Sequence, residues 1–175
     1  MNDKQLRDKY KKAQLGYNKY SGTSPTNQLE KKFMPLAQEV LEEYFTFVKG
    51  AGNKYANFRG VDFACWKDED METVDMKLCL KYCNNRFLMD AVRRDENGEF
   101  TEHALDSKIC DYILFINQSF FVLAEYDVVY NKVAAVPEED YYDFLDLDKT
   151  RTVKKCEILL NPEDCVYIRR RMTTN

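Results

Sequence analysis

Apolar residues recur every three or four positions from Leu29 through Phe33, Leu36, Val40 and Tyr44 to Val48, the spacing of one face of an α-helix. Ser24-Pro25 precedes the run as an N-cap with proline at the first helical position. The segment "KGAGNK", residues 49–54, closes it. The pattern predicts an amphipathic helix over 25–48, kinked at Pro35, whose other face carries Glu30, Glu39, Glu42 and Glu43. Beyond it, 57–66 and 73–82 read as two strands joined through the acidic turn "KDED" at 67–70. Residues 84–107 are polar, with a turn at "DENGE", 95–99. "CDYILFI" (110–116) and "FFVLAEYDVVY" (120–130) read as two more strands about a short Asn117-Gln118-Ser119 loop. An acidic stretch opens at Pro137, then "CEILL" (156–160) and "CVYIRRR" (165–171) finish the chain. Ahead of everything, residues 1–23 are basic and tyrosine-rich, with a short helix over about 3–15, and read as a solvated or a phosphate-contacting arm. The order helix, strand, strand, polar segment, strand, strand describes an α/β or α+β domain with a mixed central sheet.

Composition narrows this only a little. At 175 residues the chain suits one domain, here 24–175 behind the 1–23 arm. It is 45% hydrophobic, too apolar for a disordered protein. Its charged residues nearly balance at net −4, which neither points to nucleic acid nor excludes a local basic groove. There is no apolar run long enough to span a membrane, and the polar start lacks a secretory signal's apolar segment, so a cytoplasmic protein is expected. Six cysteines are then expected as thiols. Cys79 and Cys83 have no second close Cys or Cys/His pair, and His103 is the only histidine, so the spacing argues against zinc.

The unusual stretch is "VDFACWKDEDMETVDMKLCLKY", residues 61–82. Side chains alternate along a strand. Val74, Met76, Leu78 and Leu80 therefore share one face of the second strand, and Asp75, Lys77, Cys79 and Lys81 the other. Asp75 and Lys77 stand about 7 Å apart on that face. In the preceding strand Asp62 points away from Val61 and Phe63, flanked by the small residues Gly60 and Ala64. A hairpin in register brings Asp62 to the Asp75 face. Two adjoining carboxylates repel unless a cation neutralises them, and a hard divalent ion is the natural partner. Lys77 beside it would hold the attacking water and stabilise developing charge. The plain alternative is an ion pair on an exposed sheet face, worth little.

An acid on one strand, about a dozen residues, then acid-x-Lys on the next apolar strand resembles the PD-(D/E)XK nuclease superfamily. Here the pattern reads Val61-Asp62 and then Asp75-Met76-Lys77, with valine where the nominal motif has proline. The resemblance runs over about 29–130 and takes in a polar helical segment after the hairpin and then the strand opening Asp111-Tyr112. It implies a restriction-endonuclease-like α/β fold, a mixed central sheet flanked by helices with an αβββαβ core. It also implies a metal-dependent DNA endonuclease. Asp62 and Asp75 would ligate Mg²⁺, with Mn²⁺ as a substitute, helped by the backbone carbonyl of Met76, and Lys77 would activate water. A leading-helix acid would join them. Glu39, opposite the apolar stripe in mid-helix, is the choice, with Glu30 and Glu42 open. Lys81, Asn85, Arg86, Arg93 and Arg94 are candidates for DNA contact, with Lys11, Lys12 and Arg169-Arg170-Arg171 as further phosphate contacts. A homodimer is the simplest way to cut two strands with one site per chain.

Two other readings stand beside it. One is a catalytically inactive nuclease-fold module that binds nucleic acid or protein, for example a phage- or plasmid-type inhibitor, which the net negative charge favours. The other is an unrelated α+β interaction domain in which Asp75 and Lys77 are an ordinary pair. Trp66 and the tyrosines read as core and rim rather than as base-stacking platforms.

Overall fold

The computed structural model describes residues 1–14, 25–50, 61–94, 100–103, 110–145 and 152–171. Two helices lead, α1 (Asp3–Gln14) and α2 (Pro25–Leu41). Five strands follow: β1 (Phe47–Gly50), β2 (Phe63–Lys67), β3 (Asp70–Cys79), β4 (Arg86–Arg94) and β5 (Phe100–His103). Then come β6 (Tyr112–Asn117), β7 (Phe120–Glu125), α3 (Tyr126–Ala134), β8 (Tyr142–Leu145), β9 (Thr152–Leu159) and β10 (Tyr167–Arg170). They build a six-stranded sheet in the order β1-β2-β3-β6-β7-β10 and a four-stranded sheet in the order β5-β4-β9-β8. β3 and β6 run parallel and every other pairing is antiparallel, so the fold is mixed α/β.

β6 and β7 explain the architecture. Leu114, Ile116, Phe121 and Leu123 enter a core with Leu6 and Tyr10 of α1 and Phe33, Leu36 and Val40 of α2. Ile113, Phe115, Val122 and Ala124 enter a second core with Phe87, Met89 and Ala91 of β4, Cys156 and Ile158 of β9, and Val129 and Val133 of α3. A strand covered on both faces reads as a continuous apolar run rather than an alternation. Among the described residues, no helix is long and apolar enough to cross a membrane.

Several expectations are corrected here. α2 stops at Leu41, so Tyr44 and Val48 leave the helix, and Val48 enters the core from strand β1. Apolar spacing alone cannot tell a helix's last turns from a turn followed by a buried strand residue. Residues 3–14 are not a solvated arm, because Leu6, Tyr10 and Ala13 are buried; residues 15–23 lie outside the described residues. The polar segment after β3 holds strands β4 and β5. "YDVVY" at 126–130 is helical, because Tyr126, Val129 and Val133 bury one stripe at helical spacing. The DENGE turn at 95–99 and the first part of the strand expected over 57–66 lie outside the described residues.

Buried Asn117 pins the crossover out of β3. Its Nδ2 donates to the carbonyls of Asn84 and Arg86, at 2.9 and 3.0 Å. Its Oδ1 accepts from the Ser119 and Phe120 amides, both at 2.8 Å. Asn84 sits at φ 55°, a left-handed conformation that asparagine tolerates. The start of β4 is thereby locked to the β6–β7 turn.

Candidate functional site

The β2–β3 hairpin turns at Asp68, whose φ of 60° lets the chain reverse between Lys67 and Asp70. Phe63 pairs with Val74, and the Asp62 amide donates to the Val74 carbonyl at 2.9 Å. One step further along this antiparallel ladder sets Asp62 opposite Asp75. The expected register therefore holds. Phe63, Cys65, Val74 and Met76 all enter the helix-side core, which leaves Asp62, Asp75 and Lys77 to the other face.

There the carboxylates meet. Asp75 is 5% exposed. Its pKa is pushed up to about 7, chiefly by burial, with the Lys77 ammonium opposing and the hydrogen bond that its protonated carboxyl donates to Asp62 adding to the rise. Lys77 Nζ lies 2.8 Å from Asp75 Oδ2, and the Lys77 side chain keeps 31% of its exposure. Asp62 Oδ2 accepts the Met76 amide at 2.7 Å. The Met76 amide is thus bonded to the cluster.

The three candidate acids of the leading helix stand differently. Glu39 is bound by Lys9 of α1, whose Nζ lies 2.5 Å from Oε1, and it is not brought to the cluster. Glu42 is exposed and accepts from Gln38 Nε2. Glu30, one turn into α2 and half-buried, is the acid that feels the site. Burial raises its pKa first, Lys77 lowers it, Asp75 raises it, and Lys155 of β9 lowers it again. Helix periodicity marks the acids that avoid the core stripe, but not which end of the helix passes the hairpin.

Of the expected DNA contacts, Lys81 is exposed in the turn after β3. Asn85 donates to Asn161 Oδ1 at 3.0 Å, and Arg86 pairs with Glu157. These two tie β4 to β9 and the segment after it. Arg93 and Arg94 end β4, and their side chains lie outside the described residues. Arg169 donates to the Met1 carbonyl and to Asp3, both at 2.9 Å, and Arg171 lies 4.1 Å above the Tyr10 ring. Both hold β10 to α1. Lys11 and Lys12 stay exposed on α1. Trp66 stacks at 5.2 Å on Phe47, itself 56% exposed, at the sheet edge.

A pair of adjoining carboxyls suits Mg²⁺, which commonly takes one or two carboxylates and fills its shell with water and phosphate oxygens. Burial is the main cause of the raised Asp75 pKa and the neighbouring Asp62 adds to it, so a cation at the pair would favour the ionised form. Among the described residues, no group of three or more His, Cys, Asp or Glu is placed to hold a metal. A surface hollow of about 600 Å³ lies elsewhere, lined by Arg86, Tyr141, Tyr142 and Glu157 among others.

No protein-family model, curated protein or solved structure matches this chain.

Proposed function

We propose that this chain is a metal-dependent phosphodiesterase acting on DNA, with a PD-(D/E)XK-type site at Asp62, Asp75 and Lys77 in a restriction-endonuclease-like core. The observation that carries the reading is a buried Asp75 touching Asp62 across a hairpin, with Lys77 at 2.8 Å. The α2-β1-β2-β3 order, with β6 parallel to β3, supports the fold half of the proposal. β4 and β5 stand in the β3–β6 crossover, where the αβββαβ pattern has a helix.

Asp62 and Asp75 would hold Mg²⁺ or Mn²⁺, which when bound supplies Lewis-acid stabilisation of charge on the phosphoryl oxygens. The Met76 amide fixes the Asp62 carboxylate in place. Lys77, partly exposed at the end of its ion pair, donates to the attacking water or to a phosphate oxygen as negative charge grows. Burial keeps water away from Asp75, which strengthens each of these interactions.

The test is cleavage of plasmid and linear DNA with Mg²⁺ or Mn²⁺ against EDTA, for the natural chain, Asp75→Ala and Lys77→Ala. Metal-dependent cutting lost in both folded variants supports the reading. No cutting of any DNA form, with no Mn²⁺ binding by calorimetry, sinks it.

A second reading is a non-cutting module of the same fold that binds nucleic acid or protein. One observation favours it: Arg86, Arg169 and Arg171 all engage partners within the chain, and the net charge is negative. A nuclease acting alone needs cations left over for phosphates.

A further inference from the structure

Among the described residues, the six-stranded sheet brings one cation, Lys77, to the two carboxylates. The four-stranded sheet brings a second. Cys79 Sγ lies 3.4 Å from both the amide nitrogen and the carbonyl oxygen of Leu88, so β4 closes on β3 at that point. Lys77 lies two residues before Cys79 on the same face of β3, and Asp90 two residues after Leu88 on the same face of β4. Asp90 is registered against Lys155 of β9, and the two side chains pair at 3.5 Å. The ladder slips between Asp90 and Val92, and such bulges re-aim side chains. Alternation turns Phe87, Met89 and Ala91 into the core and leaves Asp90 and Lys155 on the opposite face, both half-buried. The fields agree with this placement. Lys155 and Lys77 both act on the Glu30 carboxyl, and Lys155, Lys77 and Asp90 all act on the Cys79 thiol.

From this convergence we infer that Lys155 is a substrate-binding residue that holds a DNA phosphate at the Asp62–Asp75–Lys77 site, and that Asp90 is the residue that positions it. The inference rests on the phosphodiesterase reading. The cation comes from across the fold. A lysine is a point charge on a flexible stem, suited to a phosphate oxygen without fixed geometry. Its ion pair with Asp90 is partly exposed, so exchanging a carboxylate for a phosphate costs little.

The experiment measures cleavage kinetics with Mg²⁺, and anisotropy of a short fluorescein-labelled duplex and its single strand in EDTA over a series of salt concentrations. Lys155→Ala is expected to raise KM about tenfold with kcat nearly unchanged. It should also reduce the slope of log affinity against log salt by about 1. Lys155→Arg should restore most of the affinity. Asp90→Asn should raise KM less and keep the salt slope, because the charge remains but its aim is lost. If Lys155→Ala folds poorly, the double variant Asp90→Asn/Lys155→Met removes both charges and should show the same loss of slope. A natural chain that cuts, with KM and slope unchanged in Lys155→Ala or the double variant, overturns the inference and leaves the nuclease standing. A natural chain that neither cuts nor binds DNA overturns both.

Discussion

β3 and β6 are neighbours in one sheet, parallel and in register, with Asp75 beside Ile113 and Lys77 beside Phe115. On the same face of that sheet, β6 presents two apolar side chains fully inside the second core, and β3 presents an acid and an ammonium. Dispersion and hydrophobic burial hold the β6 positions. At the β3 positions burial works against the charges, which is why the Asp75 pKa climbs to about 7. A buried ion pair is weak evidence for stability, since apolar residues of similar size often serve the fold as well or better. Packing accounts for the β6 pair and does not by itself account for Asp75 and Lys77.

The sharpest way to break that comparison is at the chemistry. Lys77→Ala and Asp75→Ala should each lower metal-dependent DNA cleavage by about 10²-fold or more, the scale for losing a group that stabilises transition-state charge. Far-UV circular dichroism checks that each variant folds. Rewriting β3 in the style of β6 tests the energetics. Asp75→Val/Lys77→Leu should leave stability to urea unchanged or raise it by about 1–4 kcal/mol while ending cleavage. A large loss of stability would mean the pair is structural and the contrast with β6 is false.

Acidity offers a third test. The folded chain holds a proton on Asp75 up to about pH 7, whereas the unfolded chain releases it in the ordinary carboxylate range. Between about pH 4 and 7 the folded state therefore binds more protons than the unfolded state. In EDTA, Asp75's contribution makes stability fall as pH rises across that window, by at most about 1.4 kcal/mol per pH unit, and level off above it. Denaturation midpoints against pH should lose this slope in Asp75→Asn. The smallest effect separates two glutamates of α2. Glu39→Gln should cost less than about 1 kcal/mol, the worth of its exposed pair with Lys9, and leave cleavage unchanged. Glu30→Gln should alter cleavage, since its carboxyl feels Lys77 and Asp75.

Much of the local structure was legible in the residues. The acidic turn at 67–70, the alternation around Asp75 and the apolar runs of β6 and β7 follow from side-chain period and turn chemistry. β4 was missed, because its many polar neighbours masked the alternation of Phe87, Met89 and Ala91 into the core. The helix over 126–134 was hidden because "VLAEYDVVY" stays mostly apolar, with Glu125 and Asp127 two apart as in a strand. The end of α2 was hidden because Val48 falls at helical spacing while belonging to a strand.

The sequence by itself determined the hairpin and the face that Asp62, Asp75 and Lys77 share, because a period of two admits only one arrangement once one face of the strand is apolar. Long-range packing sets which acid of α2 feels the charges of that face. Glu30 and Lys155 lie 125 positions apart, and the influence of one on the other depends on how a helix end and a separate sheet pack around β3, a matter of three-dimensional closure that no local period encodes.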